Sequence, residues 1–139
     1  MILIPPSIRA QLRANAAASR AALAREGRFD PVPVLKLFNP LGAATWLATE
    51  LDDDGDTLFG LADLGFGCPE LGVFSLAEIG AVRLPLGLGI ERDVHFESGF
   101  ALSVWAAWAR RAGSILWAET LLNRAALGRA ASKLPDRHG

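Results

Sequence analysis

Apolar positions change their spacing along the chain, and each change predicts a different element. Ile8, Leu12 and Leu23 recur at helical spacing in an alanine-rich stretch, which predicts a helix with Ser7 as its N-cap and Gly27 as its stop. Asn15 falls on the apolar side of that helix and marks a place where it could break. From Pro31 to Ser75 short apolar runs alternate with turn residues, the texture of an antiparallel meander. Strands are predicted over 34–38, 44–51, 57–63 and 71–74, with Asp52-Asp-Asp-Gly-Asp56 as the turn between the second and third. Pairing Leu51 with Thr57 across that turn places Leu47, Leu51, Phe59 and Leu61 on one face, and the register continues to Leu35 and Leu37. Lys36, Trp46, Ala48, Glu50 and Gly60 then take the other face, with Lys36 beside Trp46.

Beyond the meander, Leu64 to Gly72 is too glycine-rich for a regular strand and too apolar for a solvated linker, so a packed loop at the sheet edge is expected. Ser75-Leu-Ala-Glu78 is a capping box that opens a short helix ending before Pro85. Glu91 to Phe96 predicts a last strand, and Leu102, Trp105 and Trp108 open a helix that Gly113 interrupts. Ser114 caps a second helix running to about Ala131, and a frayed tail is expected from Pro135. In that last helix Ile115, Ala118, Leu122 and Ala126 line one side, while Leu116 and Leu127 lie off it. The pattern predicts an α+β fold: an antiparallel sheet of four to five strands with helices packed on one face, and helices at both termini. Residues 1–112 form the domain in this reading, and 113–139 a helical extension and tail.

Composition narrows the function classes. The 139 residues suffice for one domain with a core, and 51% hydrophobic with 21% charged residues is ordinary for a soluble globular chain. A net charge of -1 argues against a general nucleic-acid binder. The charge is uneven: residues 1–49 carry six basic and two acidic side chains, residues 50–97 two and eleven, and residues 98–139 six and two. Basic ends folded back on an acidic centre are the simplest arrangement, and Arg9, Arg13 and Arg20 form one basic strip on the first helix. Cys68 is the only cysteine, which excludes an internal disulfide and a zinc site of several thiolates. The short apolar start, Met1 to Ile4, and the lack of a long apolar run predict a cytoplasmic protein without a membrane partner.

No catalytic motif stands out. The Asp52–Asp56 segment lacks the glutamate and flanking helices of an EF-hand, and Gly65, Gly67 and Gly72 lack the Gly-Lys-Ser/Thr of a phosphate loop. His95 shares a predicted strand face with Glu91, Asp93 and Glu97, yet side chains on one strand face run parallel and do not converge. Glu50 and Asp63 fall on opposite faces, Ser75 is a cap, and Cys68 has no neighbouring base. The chain therefore reads as a binding protein in preference to an enzyme, with no cofactor, no metal and no catalytic residue assigned. Lys36, Trp46, Glu50, Asp63, Glu70 and His95 are the binding-surface candidates. Ile115, Leu116, Leu122 and Leu127 are candidates for a homodimer contact or a partner groove, because a helix apolar on more than one side needs more than one neighbour.

Pro33-Val-Leu-Lys-Leu-Phe-Asn-Pro40, Ala44-Thr-Trp-Leu47, Phe59-Gly-Leu-Ala-Asp-Leu-Gly65, Cys68-Pro-Glu-Leu-Gly72 and Glu91-Arg-Asp-Val-His-Phe96 follow one another in an order that resembles a bacterial family known as domain of unknown function 2958. The resemblance covers roughly residues 2–110, and the helix from Ser114 departs from it. It implies no activity. It does imply a plasmid, phage or integrative-element setting, and so an accessory protein that binds a host protein in a defence-countering (anti-restriction or anti-CRISPR) or DNA-transfer role. Two contrasting readings remain: a small metal-assisted hydrolase using His95 with Glu91, Asp93 or Glu70, and direct DNA binding through Arg9, Arg13 and Arg20.

Overall fold

Strand β2 (Thr45–Leu51) is apolar at both parities, and the fold follows from burying both. The computed structural model describes residues 3–132, with side chains to residue 129; the expected tail from Pro135 lies outside the described residues. Five strands form one antiparallel sheet in the order β4-β3-β2-β1-β5, with β1 at Leu35–Phe38, β3 at Thr57–Asp63, β4 at Glu70–Ser75 and β5 at Glu91–Arg92. Helix α1 (Pro6–Ala24) precedes the sheet, α2 (Leu76–Gly80) follows β4, and α3 (Leu102–Ala112) and α4 (Ile115–Ser132) close the described chain. The α+β class, the sheet and the terminal helices are as the sequence predicts.

The helices, however, cover both faces of the sheet and not one. Leu35, Leu37, Trp46, Ala48, Leu51 and Leu58 pack with Ile8 and Leu12 of α1 and with Leu76 and Ile79 of α2. Leu47, Leu61 and Phe59 pack on the opposite face with Leu102, Trp105 and Ala109 of α3 and Ile115, Ala118 and Leu122 of α4. A near-continuous apolar strand such as Trp46-Leu-Ala48 is what two covered faces require.

Two one-residue differences in register account for the redistribution. The turn between β1 and β2 spans six residues, not five: Asn39 N donates to Ala44 O and Leu41 N to the Asn39 side chain. Phe38 therefore pairs with Thr45, Lys36 with Leu47, and Leu37 with Trp46. Lys36 and Trp46 point to opposite faces, which removes the expected lysine–indole contact. Between β2 and β3 the predicted Leu47–Leu61 pair is present, but a β-bulge follows Ala48, so Glu50 pairs with Phe59 and Leu51 with Leu58. The extra residue sends Leu51 to the α1 side and turns Glu50 to the α3 side.

At the same place β3 carries Gly60, where a Cβ would lie 1.8 Å from the Leu47 carbonyl oxygen. No larger residue lets the two strands approach this closely.

Helix α1 begins at Pro6, two residues earlier than predicted, because proline at the first position loses no helical hydrogen bond; Ser7 makes no cap bond. Asn15 does not break it. Its Nδ2 donates to Thr49 O at 2.9 Å, where β1 has ended, and its Oδ1 accepts from Gln11. The helix thus takes over the edge of β2 that β1 leaves unpaired.

Gly60 and Gly72 pair across β3 and β4, yet a Cβ at Gly72 would meet nothing. Gly60→Ala should lower stability by about 3 kcal/mol, the upper range for overpacking, while Gly72→Ala should stay within about 1 kcal/mol of wild type. Urea midpoints of the two variants measure the contrast.

Candidate binding surface at the loop end of the sheet

Aspartates hold the starts of three helices, which removes them from any acid site. Asp63 is buried, and its two carboxylate oxygens accept from Ile115 N at the start of α4 and from Gly65 N. Asp30 accepts from Ser103 N and Oγ at the start of α3. Asp56 accepts from Ser75 Oγ and Ala77 N, beside the Ser75 hydroxyl that caps α2 through Glu78 N.

The acidic turn is occupied in a similar way. Asp54 accepts from the Thr57 hydroxyl, Thr57 N and Asp56 N, which hold its carboxyl below the ordinary aspartate value. Arg13 reaches Asp53 at 3.5 Å, and Arg20 reaches Asp52 and Asp53 at 3.8 and 3.6 Å. The N-terminal basic strip folds back on the acidic centre. These pairs are exposed and contribute little to stability, but they neutralise both surfaces.

The six binding-surface candidates do not converge. Trp46 is buried under α1 and α2, and Asp63 is the α4 cap. Glu50 enters a cleft beside α1, and Glu70 lies beside Arg110 in a shallow depression at the β4 edge. His95 is exposed past the end of β5: that strand has two residues, not six, because Asp93 turns the chain by accepting from His95 N. The predicted face of Glu91, Asp93, His95 and Glu97 is therefore absent, and among the described residues no three His, Cys, Asp or Glu side chains gather as a metal would need.

Lys36 lies in a separate cleft of about 540 Å3, lined also by Phe38, Asn39, Thr45, Arg92, Asp93 and Leu116. Its buried ammonium donates to Glu119 Oε1 at 2.8 Å and stands 3.4 Å from Asp93 Oδ2. These two carboxylates were not legible as its partners, because Glu119 is 83 residues away. The triad ties α4 to β1 and gives the cleft a charged floor.

Around that floor the loops gather apolar side chains. The β1–β2 loop carries Leu41, and the β3–β4 loop carries Leu64 and Phe66, with Phe66 82% exposed. A Cβ on Gly65 would lie 3.5 Å from Ala43, and one on Gly113 3.8 Å from Gly67 O, so the β3–β4 loop meets both the β1–β2 loop and the α3–α4 junction. Leu116 and Trp117 follow at the start of α4, with Trp117 64% exposed. The expected packed loop is instead a projecting one: Gly65 and Gly67 adopt positive φ on either side of Phe66. Of the α4 interface candidates, Ile115 and Leu122 are taken up by the chain's own core, while Leu116 and Leu127 remain exposed. Phe66 and Trp117 were missed as site residues; an aromatic between two glycines was the available signal.

A family of proteins of unknown function, DUF2958, matches residues 3–116. Neither the curated proteins nor the solved structures contain a significant match. Among the described residues no helix is long and apolar enough to cross a membrane.

Replacing Lys36 by methionine should destabilise the protein by about 2–3 kcal/mol, less than a fully buried pair because Asp93 and Glu119 remain partly exposed. The Lys36→Met/Glu119→Gln double variant should recover part of the loss, since it removes a carboxylate left without its partner. A thermal denaturation double-mutant cycle gives the coupling directly.

Proposed function

The chain belongs to the DUF2958 family, whose description carries no activity, and we propose that it is a non-catalytic accessory protein that binds a host protein through the loop end of its sheet. One observation carries this reading: Leu41, Leu64, Phe66, Leu116 and Trp117 are each exposed, on two loops that touch each other and on the start of the helix whose preceding junction one of those loops touches. Solvent-exposed aromatic and aliphatic side chains such as these are the chemistry of protein interfaces, in which a few such residues supply most of the binding energy. Nothing comparable supports hydrolysis, since Asp63 and Asp56 are held as caps and His95 stands in solvent. Direct DNA binding is likewise weakened, because Arg13 and Arg20 are engaged by Asp52 and Asp53.

The finer reading is that the host protein belongs to a restriction or CRISPR system, or to DNA transfer, and that the chain acts in the cytoplasm for a plasmid or phage. It rests on the setting that the family resemblance implies. A homodimer through Leu116 and Leu127 is the competing use of the same helix.

Phage plating on cells with an active restriction or CRISPR system tests this reading. Wild-type protein should relieve interference, and the Phe66→Ser/Trp117→Ser variant should lose at least tenfold of that relief while keeping the wild-type melting temperature. A double variant as active as wild type would remove the surface, and a wild-type protein without effect would remove the defence-countering role. Light scattering separates the homodimer.

A further inference from the structure

A second cleft, independent of the loop end, opens between the C-terminal half of α1 and the α3-side face of β2, β3 and β4. It holds about 350 Å3, within the range of small-molecule sites. Its walls are apolar: Ala16 and Leu23 on α1, Phe59 on β3 and Val73 on β4. Leu23 and Val73 line it from α1 and β4, 71% and 69% exposed, and none of the described residues covers them. Into this apolar space the bulge in β2 delivers one carboxylate, Glu50, directly across from Phe59. Without the extra residue Glu50 would sit at the parity of Ala48, on the opposite face under α1.

Glu50 shares its nearby cation, Arg20, with two other carboxylates. The nearby Arg20 is drawn to Asp52 and Asp53, and among the described residues no ion pair closes on Glu50. Partial burial raises its carboxyl above the ordinary glutamate value; the Ser19 hydroxyl and the Arg20 charge pull it down, and Asp52 pushes it up. The charged side chains around the cleft are Glu50, Asp52 and Arg20, which leave one net negative charge.

We propose that this cleft binds a small organic cation, one primary ammonium group carried on an apolar body, with the ammonium on Glu50 and the body against Phe59, Leu23 and Val73. The complementarity is specific. A half-buried carboxylate in a largely apolar cleft attracts a cation more strongly than water-exposed carboxylates do, and Phe59 in the lining adds apolar surface for the alkyl chain. A neutral ligand of the same shape would cover the half-buried carboxylate without compensating its charge, and an anion would be repelled.

Hexylammonium is the probe and hexanol its neutral isostere, titrated into the full chain labelled with 15N and observed by NMR. Hexylammonium should produce saturable shifts at Leu23, Glu50, Phe59 and Val73, at least tenfold tighter than hexanol. Binding should lower the Glu50 carboxyl titration and weaken as pH falls through it, because protonation removes the attracting charge. Glu50→Gln should lose at least tenfold in affinity while its melting temperature holds, and Glu70→Gln, outside the cleft, should bind as wild type does. Equal affinity for hexanol, full affinity in Glu50→Gln, or shifts scattered away from these four residues would each overturn the proposal.

Discussion

A central strand buried on both faces constrains everything around it. Thr45 to Leu51 supplies Trp46 and Ala48 to one core and Leu47 to the other, so helices must cover both sides of the sheet. The strand meets β3 so closely at Leu47 that only glycine fits at position 60, and the bulge beside that contact changes the facing of all that follows. Leu51 joins the α1 core because of it, and Glu50 leaves the core for a cleft. A single extra residue thus separates a stability function from a binding one.

The distribution of charge follows from the same architecture. An acidic centre between basic ends has the look of a mimic of nucleic acid or of a metal site, yet the fold spends those groups locally. Asp30, Asp56 and Asp63 satisfy amide groups at helix starts, and Asp52 and Asp53 meet the arginines of α1. Among the described residues Lys36 is the one cation placed in the interior, and it joins β1 to α4 through Glu119 while Asp93 anchors the chain leaving β5. The surfaces left for partners are accordingly apolar: the loop end with Phe66 and Trp117, and the cleft lined by Leu23 and Val73.

Much of the fold was legible from periodicity and turn chemistry. The four longer strands, the Asp52–Asp56 turn, the Ser75 cap and the Gly113 break all follow from residues whose local preferences agree with their final conformation. Register was less legible. A two-residue period cannot reveal a bulge, and the Asn39 side chain lengthened the β1–β2 turn by one residue, which moved Lys36 away from Trp46. The apolar run Trp46-Leu-Ala48 did carry the signal for two covered faces. Sites fared worst because their parts are distant in sequence: Lys36 finds Glu119, the Gly67 backbone finds Gly113 before α4, and Glu50 finds α1.

The bulge is the point on which both the two-faced core and the Glu50 cleft rest, and cross-strand nuclear Overhauser effects between backbone protons of β2 and β3 test it most directly. The account predicts contacts between Ala48 and Gly60, between Glu50 and Phe59, and between Leu51 and Leu58. Contacts of Thr49 with Phe59, of Glu50 with Leu58 and of Leu51 with Thr57 would contradict it, because an unbroken register would return Glu50 to the α1 side of the sheet.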